Sequence, residues 1–294
     1  MNNSYLMVVE NCQQTPKNDP ANGKNEFYDF KRGLCVILNQ EKFSETKNIK
    51  QKYNLRKGTE KDVNRLKSTF EDFGFKVEVS HNLDQPNFLR ELKTIGGYSK
   101  EQYDCILVTI LSHGKERTVV TSDCKDVKLE KVREEMCTPT LKGVVKMVVV
   151  QACQGDFLGR EETDGPSGFT TKLSADLALD DLLNDSNNIR FSDFVMFVAT
   201  IGKFQSVRNT KEGAWFIQTI CDVLNEFDEI EWSDFTRKVK KLVFEKRGTV
   251  CGIENVVQVP EILHDTLKMK FQFRKKKNGD SIIRIFNTLS SREL

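Results

Sequence analysis

Two apolar runs limit what this chain can become. Val144-Val145-Lys146-Met147-Val148-Val149-Val150 and the earlier Cys105-Ile106-Leu107-Val108-Thr109-Ile110-Leu111 are rich in β-branched residues and show no regular apolar–polar alternation. Runs of this kind read as strands buried on both faces, and such strands belong to parallel sheets covered by helices. The later run leads straight into Gln151-Ala152-Cys153-Gln154-Gly155 and the earlier one into Ser112-His113-Gly114, so that His113 precedes Cys153 by forty residues. Open α/β sheets carry their reactive groups in the crevice at the strand carboxyl ends. Two strands of one parallel sheet would therefore bring a thiol and an imidazole to the same edge.

The remaining pattern agrees with a sheet of this class. Leu34-Cys35-Val36-Ile37-Leu38 is a first buried strand, and Thr59 is placed to cap a helix with Asp62 as a short capping-box acid. That helix carries Val63, Leu66, Phe70 and Phe73 at helical spacing. A strand at Phe75–Val79, a helix near Asn87–Leu92 and another near Leu129–Met136 follow. Strand–helix alternation predicts an α/β fold with a mainly parallel sheet covered on both faces. From Phe157 to Arg190 glycines and aspartates interrupt the pattern, a loop longer than a compact domain uses for connection alone. Phe194–Ala199 then resumes the sheet, helices follow at Ala214–Phe227 and Trp232–Phe244, and Leu267–Phe273 reads as an edge strand.

Composition removes several classes of function. A net charge of +2 over 294 residues gives no electrostatic basis for holding nucleic acid or an anionic membrane. The basic cluster Arg274-Lys275-Lys276-Lys277 reads as a solvated tail. No stretch approaches the roughly 18 apolar residues of a membrane span, and the polar residues 1–24 lack a signal-peptide core. Eight cysteines show no CxxC pair or other metal spacing, so a metal site is not expected. The chain is expected to be soluble, reduced and cytoplasmic.

Cys153 and His113 carry chemistry that the other cysteines and histidines do not. Thiolate is a strong nucleophile, and an imidazole can take the thiol proton and later return it to a leaving amine. Acyl transfer also needs donors for the developing oxyanion, for which the N–H groups of Gly114 and Cys153 are the candidates. His81 and His264 lie in less suitable surroundings.

These residues resemble the caspase family of cysteine proteases, whose signature Q-A-C-[RQG]-G is matched by Gln151–Gly155. The resemblance extends over residues 27–273. It includes Arg32–Asn39, the R-x-G-T-x-x-D segment Arg56–Asp62, Ser112-His113-Gly114, and Ser206-Val207-Arg208-Asn209 with Gly213–Gln218. It implies a three-layer sandwich with a mainly parallel central sheet flanked by helices, in a single catalytic domain cleavable into large and small subunits. It implies an endopeptidase cleaving after Asp in programmed cell death, with Cys153 as nucleophile and His113 as general acid and base. Arg56, Gln151 and Arg208 would grip the substrate carboxylate, and Ser206 and Arg208 would contact an extended substrate backbone.

The same resemblance divides the chain into an arm of residues 1–25, a large subunit of residues 26–164, a linker of residues 165–189 and a small subunit of residues 190–294 that carries a dimer strand, with Leu267–Phe273 as candidate. Asp164 would be the processing site of a zymogen, and the short arm would suit an executioner-like enzyme. The implied partners are protein substrates, an upstream initiator caspase, inhibitor-of-apoptosis proteins and a second copy of the processed pair; nucleic acid, membrane and cofactors are not implied. Three positions depart from the family pattern. Gln154 replaces the commoner Arg, Val207 stands where Trp is usual and implies a broader second subsite, and Arg117 replaces a small residue. The alternative is a catalytically weak or inactive homologue that regulates other caspases as a decoy.

Overall fold

A computed structural model describes residues 26–44, 53–160 and 191–276 of the chain. The arm, Asp164, the linker residues 165–189 and the tail beyond residue 276 lie outside the described residues. The first half runs β1 (Gly33–Asn39), α1 (Thr59–Asp72), β2 (Phe75–His81), α2 (Gln85–Gly96), β3 (Cys105–Leu111), β4 (Gly114–Lys115), β5 (Thr118–Val120), β6 (Asp126–Lys128), α3 (Leu129–Met136), β7 (Val145–Gln151) and β8 (Gly159–Arg160). The second half runs β9 (Phe194–Val198), β10 (Arg208–Asn209), β11 (Gly213–Ala214), α4 (Trp215–Glu226), β12 (Glu229–Glu231), α5 (Trp232–Glu245), β13 (Gly248–Val250), β14 (Ile253–Val257), β15 (Glu261–Leu263) and β16 (Gln272–Arg274).

The central sheet has the order β15-β9-β7-β3-β1-β2, parallel throughout except for the antiparallel edge strand β15. Successive residues of a strand face opposite sides, so one strand feeds two cores. Cys35 and Ile37 of β1 join α1, α4 and α5 through Leu66, Phe70, Phe216 and Phe235. Leu34, Val36 and Leu38 join α2 and α3 through Phe88, Leu92, Val132 and Met136. The result is the expected three-layer α/β sandwich. Lys146, the charged residue of β7, is 2% exposed, and its ammonium donates to the carbonyls of Leu141 and Val144 at 3.2 and 2.7 Å. Those acceptors allow a buried strand to hold a lysine.

The chain leaves β1 for β2 on one side and then crosses to β3 on the other, which puts a topological switch point between β1 and β3. Crevices at such points open at the strand carboxyl ends.

Two expectations are corrected. Thr59 does not cap α1; Gly58 occupies that position at φ 88°, where a Cβ would lie 2.6 Å from the Thr210 carbonyl oxygen. The Thr59 hydroxyl instead donates to Asn39 Oδ1 at 2.7 Å and accepts from Arg56 at 3.0 Å. Leu267–Phe273 is not the edge of the main sheet. Phe271 and Phe273 pack into the core beside α5; β16 pairs with β12, and Lys270 bridges to Phe27, so the segment pairs outside the central sheet. The central sheet ends at β15 on one side and at β2 on the other.

Candidate active site

Register brings the thiol and the imidazole together. Leu111 of β3 pairs with Gln151 of β7, and the Ser112 N–H extends the ladder to the Gln151 carbonyl at 3.0 Å. His113 and Cys153 each follow that pair by two residues and so leave the sheet side by side. Gly114 lets the two backbones approach, because a Cβ there would lie 2.6 Å from the Cys153 carbonyl oxygen and 2.5 Å from that of Thr118.

Both side chains line a cavity of about 210 Å³, together with Arg56, Gln151, Ser206, Val207 and Arg208. Two larger depressions, of about 610 and 820 Å³, contain neither Cys153 nor His113. Chemistry, not volume, therefore locates the site. Every side chain expected at the site among the described residues lines this cavity; Gly114 is not in its lining and packs against the Cys153 backbone.

His113 Nε2 lies 2.8 Å from the Asn54 carbonyl oxygen. A carbonyl only accepts, so Nε2 carries the ring proton and Nδ1 keeps its lone pair. Burial lowers the imidazole pKa to about 4; the Asn54 contact opposes this shift, while Arg56 and Arg208 reinforce it. The ring is neutral at pH 7 and can act as a base. Cys153 Sγ lies 3.8 Å from Ser206 Oγ and 3.9 Å from the Ser206 carbonyl oxygen. No hydrogen bond joins thiol and imidazole among the described contacts; the thiol faces Ser206 and the ring faces Asn54.

The cation slot comes from both halves of the fold. Arg56 is 2% exposed and donates to the Gln40 carbonyl at 3.2 Å as well as to Thr59. Burial, then the proximity of Arg208, lowers its pKa to about 9, which leaves it cationic at neutral pH. Arg208 donates to the Lys57 carbonyl, and burial lowers its pKa as well. Gln151 Nε2 donates to Ser206 Oγ at 3.0 Å.

Several supporting residues escaped the sequence reading. Asp62, read above as a capping acid, is buried and accepts from the Ala214 N–H at 2.8 Å and Gln218 Nε2 at 2.7 Å. Ala214 is the cross-strand partner of Arg208. Asp62 thus ties α1 to the hairpin that carries the second arginine. Burial raises its pKa to about 6, against the pull of its hydrogen bonds and of both arginines. Gln258 spans from the Val207 N–H to the Ala199 carbonyl, both at 2.7 Å, and braces the segment that ends in Arg208.

The departures from the family pattern also have visible roles. Gln154 is buried; it accepts from the Arg117 N–H at 3.0 Å and donates to the Cys153 carbonyl at 3.1 Å. Arg117 has φ 56°, the left-handed conformation that favours glycine over any residue with a Cβ.

Comparison with known proteins agrees with this geometry. The family model described as "Caspase domain" matches residues 32–272. The chain is 30% identical over 201 residues to caspase drICE of Drosophila melanogaster, covering 65% of this chain and 53% of the relative. It is 27% identical over 236 residues to caspase-8 of Drosophila pseudoobscura pseudoobscura, covering 78% and 43%. The chain thus spans about half the length of these curated relatives. The crystal structure of caspase-1 from Spodoptera frugiperda superposes with a TM-score of 0.71 at 25% identity, covering 90% of this chain and 99% of that one. With the motifs in order, the sandwich formed and the family model spanning most of the sequence, the chain belongs to the caspase family.

Proposed function

We propose that this protein is a cysteine endopeptidase that cuts polypeptides after Asp. The observation that supports this reading is one cavity shared by a thiol, an imidazole of defined tautomer and two guanidiniums, that of Arg56 buried and that of Arg208 half-buried. His113 Nδ1 takes the thiol proton, and the Cys153 sulfur bonds to the substrate carbonyl carbon while the carbonyl π electrons move onto oxygen. The N–H groups of Gly114 and Cys153 receive that oxyanion. The imidazolium then protonates the leaving amine as the C–N bond breaks, and water releases the acyl group with His113 again the base. Arg56, Arg208 and Gln151 Nε2 bind the Asp carboxylate, and the substrate backbone lies along Ser206 and Arg208. Val207 offers less surface than a tryptophan would, so the second subsite is broad.

A fluoromethyl ketone peptide ending in Asp tests this reading, since the Cys153 sulfur would displace fluoride and leave a thioether. Peptide mapping is expected to place the adduct on Cys153, while the Asn-ended analogue labels it far more slowly. Equal labelling by both reagents, or by neither, ends the proposal. A regulatory homologue without turnover is the second reading; the contacts of the thiol with Ser206, and not with the imidazole, favour it.

The proposal extends to a zymogen acting in cell death and cut after Asp164 by an upstream caspase. The cut would separate residues 26–164, with His113 and Cys153, from a small subunit of residues 190–294 with Arg208. Asp164→Ala is expected to remain one chain on a denaturing gel under conditions that split the wild type. Identical fragments from both proteins would remove Asp164 from the scheme. Inhibitor proteins would compete for the same cleft. A second copy would extend the sheet at β15, whose outer edge is unpaired among the described residues.

A further inference from the structure

A general base works only when its lone pair is aimed and unprotonated. In His113 the Asn54 carbonyl fixes one point of the ring, which still leaves rotation about the line through that contact. Two aromatic rings restrict it. Tyr53 stacks on the imidazole with centroids 5.3 Å apart and planes 26° apart, and Phe43 lies 4.9 Å from the imidazole and 5.8 Å from Tyr53. Three near-equal separations describe a triangle, so Tyr53 covers one face and Phe43 wedges against both rings. Tyr53 is itself held by Lys115, whose ammonium pairs with Asp126 at 2.7 Å.

We propose that Tyr53 is a positioning residue for the reaction, setting the plane of the His113 ring and excluding water from one of its faces. This rests on the proteolytic reading above. Its consequence for protonation has a definite sign. The groups facing His113 are Arg56 and Arg208 across the cavity, with Cys153 and Gln151 beside them; Lys115 and Asp126 stand behind Tyr53. The two arginines oppose protonation, and burial opposes it most. A stacked aromatic ring favours the imidazolium, but such a contact is worth up to about 1.5 pH units, less than the lowering from 6.5 to about 4 in which burial is the largest cause. Water exclusion therefore wins, and opening the ring face should raise the pKa.

The test titrates the imidazole nitrogens by NMR in the Cys153→Ala protein, where no self-cleavage can intervene. His113→Gln in that background identifies the His113 signal among those of His81 and His264. The parent His113 is expected to remain neutral at about pH 5.5, whereas Tyr53→Ala should raise the midpoint by at least about one pH unit and leave about a quarter of the rings or more protonated there. Tyr53→Phe keeps the ring and should titrate like the parent. In the protein with Cys153 intact, Tyr53→Ala should lower kcat about tenfold with KM nearly unchanged, and Tyr53→Phe should restore it. Equal midpoints in Tyr53→Ala and parent, or a Tyr53→Phe as impaired as Tyr53→Ala, would overturn the proposal. An inactive wild type would defeat the proteolytic reading while the NMR titration still judged Tyr53.

Discussion

Cys153→Ala is expected to lower kcat/KM toward a reporter peptide ending in Asp by at least ~10⁴-fold, leaving the peptide bound but uncut. The size follows from the lack of a substitute. The nearest other nucleophile is the Ser206 hydroxyl, 3.8 Å from the sulfur, but it already accepts from Gln151 Nε2 at 3.0 Å and has no base beside it. The imidazole serves only a group at the position of the Cys153 sulfur, because Asn54 holds its other nitrogen. The fold should be nearly indifferent: the described contacts of the thiol are with Ser206 alone, at 3.8 and 3.9 Å, so a change within about 1 kcal/mol is expected. Calorimetry with the same peptide separates the outcomes. Binding without cleavage supports Cys153 as nucleophile, and retention of more than a few per cent of turnover would remove it from that role.

What could be read in advance follows the range of the forces involved. The runs ending at Leu111 and Gln151 announce buried parallel strands by local pattern alone, and their register then fixes His113 beside Cys153. The helix at Leu129–Met136 shows the same local legibility. Asn54 left no signal because it acts through a backbone carbonyl, which every residue possesses. Asp62 left a misleading one: three residues after a threonine it looks like a cap, yet its partners Ala214 and Gln218 lie more than 150 residues away. Thr59 failed as a cap for a related reason, since Arg56 and Asn39 engage its hydroxyl. At Leu267–Phe273 the apolar stretch buries Phe271 and Phe273 but leaves Met269 exposed, and it is not an edge of the central sheet. Phe273 packs 5.4 Å from Phe235 between ring centroids, while the edge strand beside β9 is Glu261–Leu263, too short for periodicity to reveal.

Arg208→Gln is expected to lower kcat/KM for an Asp peptide by about 10²–10³-fold and to bring the rate for the matched Asn peptide close to it. Charge sets the preference. At neutral pH Arg56, with its pKa near 9, and Arg208 are both cationic, while Asp62, with its pKa near 6, is anionic. Two positive charges and one negative leave the slot with a net +1, which a substrate aspartate neutralises and an asparagine does not. Without the Arg208 guanidinium the net charge is zero, because Asp62 already balances Arg56. The slot can still hydrogen-bond a short polar side chain, but it has lost its electrostatic reason to prefer an acid. Arg208 is the informative position because it is only half-buried; Arg56, 2% exposed and bonded to Gln40 and Thr59, also supports the fold. Initial rates on the paired Asp and Asn peptides, compared between wild type and Arg208→Gln, read the ratio directly. An unchanged ratio would show that acid selectivity arises elsewhere and that the cationic slot is not the substrate's anchor.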